Sequence, residues 1–375
     1  MKYRAIFLTG ATGFLGVYLL NELLEMTEAN IYCLIRCENA ETGRKRLESH
    51  LKSNLIVQKD IDSRIIPIRG DLSKPMFGLS PERFEELSKN IDVIYHSAAQ
   101  IRTLHSYERL KPVNVGGTNE VIRLAGNIKK KGIHFISSMA IFTGQKASYF
   151  SEDNMPVIDD VIKNGYRRSK WEAENIVRAA GKNRINTSIY RVSQIAGHST
   201  TGVYSQYSTF LWLIIKACII LKKYPAIDTT INLVPVDYAC KAIVCLSGKK
   251  ISQNNTFHII NPQSILWKDL FIQIKAIAYP LEELSYKSWL DLIIRQPSDH
   301  PENKLFTMLR IFLSSNPPLL FAKKPKFDDK RTCKGLQDTS IVCPQIDKKL
   351  LSLYLTYFEQ IGFIPTWVHS QKMTE

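Results

Sequence analysis

Apolar residues follow two alternating rhythms through the first half of the chain. Short continuous runs read as strands buried on both faces: Ala5-Ile6-Phe7-Leu8, Ile31 to Ile35, Ile65-Ile66-Pro67-Ile68, Val93-Ile94-Tyr95 and Ile133 to Ser138. Between them lie stretches with apolar positions at helical spacing, among them Phe14 to Met26 and Ser169 to Arg178. Strands alternating with helices over the first ~200 residues predict an α/β fold with a parallel, doubly wound sheet. After Pro262 the rhythm becomes mainly helical, with helices expected at Ile265 to Ala278, Leu281 to Ile294, Lys304 to Phe312 and Leu350 to Ile361. A proline-containing break is expected at Gln296 to Pro301, and a charged loop at Lys323 to Gln337. The division expected is a sheet domain over residues 1–261, carrying cleft insertions after about 195, and a smaller helical subdomain over 262–375.

The first strand-to-helix turn carries Thr9-Gly10-Ala11-Thr12-Gly13-Phe14-Leu15-Gly16. In that context Gly10 permits a tight turn, Gly13 lets backbone approach a pyrophosphate, and Gly16 lets helix pack on strand. The N–H groups and dipole at the helix start attract phosphate. The turn therefore predicts a dinucleotide-binding (Rossmann) domain. Arg36 stands at the end of the second strand, where an NAD-selective site usually places a carboxylate for the ribose 2′-hydroxyl. Its planar fork suits a 2′-phosphate, and Arg46 in the next helix offers a second contact, so the cofactor expected is NADPH. Asp71 and Leu72, after the third strand, are candidates for the adenine. Ser97, Ala98 and Ala99, after the fourth, are candidates for the cofactor floor.

Tyrosine and lysine stand four apart twice, as Tyr107/Lys111 and Tyr166/Lys170. The second pair opens a helix and shares one face of it. The first precedes Pro112, which disfavours helix at Lys111. An ammonium beside a phenol favours phenolate and lowers a pKa that starts near ~10. Tyr166 and Lys170 are thus the candidate acid–base pair. The hydroxyl that would fix a substrate carbonyl is Ser138, with Ser137 as the alternative, at the carboxyl end of the fifth strand.

These phrases, together with Asn114-Val115-Gly116-Gly117-Thr118, resemble the extended short-chain dehydrogenase/reductases. Tyr32 to Arg36, Gly165 to Glu174 and Val234 to Tyr238 resemble the thioester reductase branch, which includes terminal reductase domains of nonribosomal peptide synthetases, carboxylic acid reductases and α-aminoadipate reductase. The likeness covers the chain well to about Asn261. It implies NADPH as cofactor, a carbonyl held by Ser138 and Tyr166 with Lys170 assisting, and Arg36 and Arg46 near the 2′-phosphate. It also implies reduction of an acyl thioester, on a phosphopantetheine carrier protein or CoA, to an aldehyde or on to an alcohol. The chain departs from the branch at Ser138, where threonine is frequent, and at Val192, where proline commonly follows the arginine. The competing expectations are a nucleotide-sugar epimerase or dehydratase, a hydroxysteroid dehydrogenase, and a non-catalytic NADPH-binding sensor or scaffold.

Composition narrows the rest. The chain has 375 residues, net charge +15, seven cysteines and eight histidines. An odd cysteine count without a Cys-x-x-Cys pair, and no leader-like segment, predict reduced thiols in a cytoplasm. No histidine pair has ligand spacing, so no metal is expected. Phe210 to Leu221 is strongly apolar, but too short to span a bilayer and interrupted by Lys216, so it reads as a core or cleft helix. Basic clusters such as Lys129-Lys130-Lys131 and Lys323-Lys324-Pro325-Lys326 accompany no nucleic-acid motif, and an acidic carrier protein is the partner they fit. Met1 directly before the first strand suggests a free-standing enzyme, although a domain excised from a larger synthetase would look the same, and the helical subdomain is expected to select the substrate and dock its carrier.

Overall fold

The computed structural model describes residues 3–57, 61–102, 105–161, 164–205, 210–297, 299, 301–315 and 325–366. The chain forms two compact units that interleave along the sequence. The first takes residues 1–195, 236–260 and 325–343; the second takes 196–235, 261–324 and 344–375. The chain leaves the first unit after residue 195, returns to it, and returns once more at 325, whereas the sequence suggested one division near residue 261.

The first unit is built on seven parallel strands: β1 (Ala5–Thr9), β2 (Asn30–Ile35), β3 (Ile65–Arg69), β4 (Val93–His96), β5 (Gly132–Ser138), β6 (Thr187–Val192) and β7 (Asn255–Ile259). Their order is β7-β6-β5-β4-β1-β2-β3. Direction reverses on the two sides of β1, which makes the gap between β1 and β4 the switch point where ligands bind in such sheets. Every residue of β1 is buried, as its continuous apolar run requires, and every residue of β6 is buried although it carries Thr187, Ser188 and Arg191. Pro67 is tolerated because β3 is an edge strand.

Helices α1 (Phe14–Met26), α2 (Ala40–Ser53), α3 (Pro81–Asn90), α4 (Tyr107–Lys111), α5 (Gly117–Gly126), α6 (Gly165–Lys182) and α7 (Val236–Ser247) complete this unit. One core joins Phe84 and Leu87 of α3, Val121 and Leu124 of α5, and Ala173 and Val177 of α6 to Phe7, Ile94, Phe135 and Ile189 of the sheet. Helices α1 and α7 pack on each other.

Lys111 is helical despite Pro112 (φ −53°, ψ −46°), contrary to the sequence expectation. A π-helical turn over Pro112–Gly116 follows it, and the Gly117 N–H closes on the Pro112 carbonyl. A wider turn with an i→i+5 bond accommodates the ring that a regular helix rejects.

The second unit centres on Phe210–Leu221, Trp267–Ala276, Tyr286–Ile294, Asn303–Ser315 and Lys348–Gln360. Trp212, Trp289, Tyr354 and Phe358 are buried at its core. Lys216, in the apolar helix, is neutralised by Glu302 at 2.8 Å. Two short strand pairs accompany the helices: Lys223–Ala226 runs parallel to Glu282–Ser285, and Thr230–Ile231 antiparallel to Ile265–Leu266. The helix expected from Leu281 therefore begins only at Tyr286, where Ser285 caps it through the Ser288 N–H. The charged loop is also corrected over its described part: Lys326–Phe327 is a strand and Lys330–Leu336 a helix, both in the first unit. Lys323 and Lys324 lie outside the described residues, as do Ser298 and His300 of the expected break. Among the described residues no helix is long and apolar enough to cross a membrane.

Candidate active site

Gly10 takes a left-handed backbone (φ +83°), and a side chain there would meet the Ala98 nitrogen at 2.7 Å. The glycine loop thus lies directly on the end of β4. A Cβ at Gly16 would stand 1.9 Å from the Gly10 carbonyl oxygen, so only glycine lets α1 start so close to the turn. Helix α1 opens at Gly13 with no side-chain cap and no acidic residue in its first turn. Its positive end is therefore available to an anion. Thr12, Phe14 and Leu15 form the rim of this turn and are partly exposed.

Ser97, Ala98 and Ala99 follow β4 beside that loop. A buried chain of hydrogen bonds fixes them: the Ala98 N–H donates to Thr9 Oγ1 at 3.2 Å, and Thr9 Oγ1 meets His96 Nδ1 at 2.7 Å. His96 Nε2 meets Thr118 Oγ1 at 3.1 Å, and Thr118 donates to the Asn114 carbonyl at 2.7 Å. Burial, and the nearby Lys170 charge, push His96 down to about 3. The imidazole is neutral and serves as a joint, not a base.

Arg36 and Arg46 are exposed at the end of β2, and Arg46 Nη1 donates to the Arg36 carbonyl at 3.0 Å. Both guanidiniums remain able to take a phosphate. Asp71 is turned onto its own loop, accepting from the Ser73 N–H at 2.9 Å and Ser73 Oγ at 2.7 Å. Leu72 is buried at the start of α5, where a Cβ on Gly117 would meet its Cγ at 2.3 Å.

At the end of β5 the two serines divide. Ser137 donates to Glu174 Oε2 at 2.7 Å and is buried. Ser138 accepts the Ala140 N–H at 3.1 Å, which leaves its own proton free to donate. Burial pushes the Tyr166 phenol above its usual value, and the nearby Ser138 hydroxyl offsets part of that rise. Lys170 is buried and donates to the Ile136 carbonyl at 2.7 Å, with its ammonium 4.3 Å from the Phe135 ring centre. Burial brings Lys170 down to about 7, against the pull of Glu174. The depressed phenol pKa expected from an adjacent ammonium is not what these contacts produce. Loss of solvent dominates at Tyr166, and the lysine charge is directed to a backbone carbonyl.

Several supporting residues had no role in the sequence reading. Asn114 holds the Gln100 backbone at both ends, at 2.7 and 3.1 Å, and donates to Ser169 Oγ at 2.9 Å. Ser169 donates to the Tyr166 carbonyl at 2.8 Å. One side chain thus joins the loop after β4 to the turn of α6 that carries Tyr166 and Lys170. Below them Glu174 and Arg191 form an ion pair with no exposure of either side chain, Nη2 to Oε1 at 2.7 Å. The available signal for Asn114 was its place in the phrase Asn114-Val115-Gly116-Gly117-Thr118.

A dinucleotide cradle at the switch point of a seven-stranded parallel sheet, with a Tyr-x-x-x-Lys helix beyond its fifth strand, defines an NAD(P)-dependent reductase of the extended short-chain dehydrogenase/reductase class. The chain belongs to the male sterility protein family of NAD-binding domains, whose profile matches residues 8–243. It is 36% identical over 369 residues to a linear gramicidin synthase chain of Brevibacillus parabrevis, and 28% identical over 395 residues to L-2-aminoadipate reductase of Saccharomyces cerevisiae. These matches cover 96% and 98% of this chain, but only 7% and 28% of those proteins. The solved terminal R domain from the myxalamid PKS-NRPS biosynthetic pathway superposes with a TM-score of 0.92 at 34% identity, over 97% of this chain and 92% of that one.

Proposed function

We propose that this chain uses NADPH to reduce an acyl thioester, held on a phosphopantetheine carrier protein or CoA, to an aldehyde. The observation that carries the reading is the convergence of Ser138, at the end of β5, with the helix that bears Tyr166 and Lys170, which Lys170 ties to β5 through the Ile136 carbonyl. Relatives that bear the names gramicidin synthase and aminoadipate reductase agree with it. Arg36, in place of a ribose-binding carboxylate, favours the phosphorylated cofactor.

Bound NADPH would supply the hydride. Ser138 and Tyr166 would donate hydrogen bonds to the thioester oxygen, where negative charge grows as the carbonyl carbon is attacked. A phenol held protonated by burial is the form able to give up a proton, and Tyr166 would pass it to that oxygen. The resulting thiohemiacetal breaks its carbon–sulfur bond. Its hydroxyl proton leaves with the thiol, and the aldehyde remains. Solvent would then return a proton to Tyr166, with Lys170 holding the surrounding charge.

The test mixes the protein with NADPH and acyl-CoA or acyl-carrier thioesters and follows the nicotinamide absorbance. Thioester-dependent loss is expected. Turnover confined to sugar nucleotides or sterols would transfer the chain to another activity of its class. Tight binding without any turnover would leave only a sensor or scaffold.

A further inference from the structure

Helix α4 brings a second group of charges to the start of α6. Tyr107 is buried and its hydroxyl donates to Glu172. The Arg168 guanidinium faces the Tyr107 ring at 3.8 Å, and the Lys111 ammonium lies 5.7 Å from it. His105 is held below its usual pKa by burial and by the Arg109 and Arg102 charges beside it. Four cations therefore gather here, Arg168 and Lys111 at the anchored ring and Arg109 and Arg102 near His105. Among the described residues none of the four makes an ion pair, although Glu108 lies near Arg168 and Lys111. Elsewhere on the same unit exposed cations do pair, as Lys45 does with Glu41, Arg83 with Glu86 and Lys89 with Glu85. An independent observation points the same way. Nδ1 of His105 is shielded from solvent and has no hydrogen-bond partner. The group also abuts the reacting end of the molecule, since a Cβ on Gly165 would stand 2.5 Å from the His105 carbonyl oxygen, one residue before Tyr166.

We infer that this cluster binds the phosphate of the pantetheine arm, an inference that rests on the thioester reading above. The phosphate is the charged group of the arm, and it is common to a carrier protein and to CoA. Guanidiniums in fixed positions suit phosphate oxygens in a way that single lysines do not. Tyr107, fastened to Glu172, keeps Arg168 and Lys111 in place before any ligand arrives. A phosphate seated here would hold the arm while its thioester end reaches Tyr166.

The experiment compares kcat/KM for one acyl group carried on pantetheine, on 4′-phosphopantetheine, on CoA and on a carrier protein. The three phosphorylated forms should share an advantage over pantetheine of roughly tenfold, residing in KM and shrinking as salt rises. Arg109→Gln and Arg168→Gln should each move the ratio of phosphorylated to unphosphorylated substrate toward one. The Arg109 variant is read separately because Arg168 also packs on Tyr107. An advantage confined to CoA, or to the carrier, would overturn the assignment to the shared phosphate. Equal efficiency with and without phosphate would overturn the site but leave the reductase standing. Failure to reduce any thioester would remove the reductase reading, and this inference with it.

Discussion

Replacing Glu174 by glutamine should strand a buried guanidinium. Glu174 accepts from Arg191 Nε at 3.0 Å and Nη2 at 2.7 Å, from Arg178 Nε at 3.1 Å and from Ser137 Oγ at 2.7 Å. Glutamine keeps the shape and one acceptor, but removes the charge and turns an amide NH2 toward N–H donors. Arg191, with no exposed side-chain surface, keeps only neutral partners, among them the Asn154 carbonyl at 2.7 Å. Breaking a buried pair from one side costs about 3–5 kcal/mol, and these remaining contacts favour the lower end, about 3 kcal/mol. Urea unfolding should show a lower midpoint with an unchanged slope. Adding Arg191→Met should recover part of the loss, giving a coupling of at least about 1 kcal/mol in a double-mutant cycle. Burial raises the Glu174 carboxyl, but Arg191, Arg178 and Ser137 outweigh it and hold the group below its usual value. Its stabilisation is thus complete above the ordinary carboxylate pKa and is lost as pH falls through the depressed one, a dependence the glutamine variant should lack. A variant within about 0.5 kcal/mol of the parent would refute this account of the pair.

Lys170, brought down to about 7 from 10.5, binds its proton less well folded than unfolded, so its contribution to stability should improve between those pH values. Measured without cofactor, Lys170→Met should flatten that rise; an unchanged pH profile would contradict it. Gly16→Ala drives a methyl into the Gly10 carbonyl and should weaken NADPH binding at least about tenfold by calorimetry, since overpacking of this kind costs about 1–3 kcal/mol. Arg36→Asp should lower NADPH affinity about tenfold and improve NADH; an unaltered preference would place the 2′-phosphate elsewhere.

Much of the first unit could be read directly because its physics is local. A strand buried on both faces is mostly apolar, so β1, β2 and β5 stand out as runs. Helix α1 follows from its spacing, and the cradle from three glycines. What escaped depends on partners distant in sequence. Glu282–Ser285 has no strand-like alternation of its own and extends only because it pairs with Lys223–Ala226. Lys330–Leu336 looks like a charged loop, but Thr332 is buried against Glu152, which accepts its N–H and hydroxyl at 3.1 and 2.9 Å. Ser137 and Ser138 are indistinguishable as letters; the buried Glu174 separates them by occupying the first. Lys170 could be placed beside Tyr166 by counting residues. Its preference for the Ile136 carbonyl could not, because that requires knowing how α6 lies on β5.

The most direct measurement follows the hydride itself. NADPH deuterated at its transferable position is mixed with a stoichiometric acyl-phosphopantetheine thioester, and the products are resolved by mass spectrometry alongside a thiol titration. The account predicts one deuterium on the aldehyde carbon and one free thiol per NADPH consumed, with both lost in Tyr166→Phe while NADPH still binds. NADPH consumed without thiol release, or aldehyde formed at the parent rate by the phenylalanine variant, would contradict it.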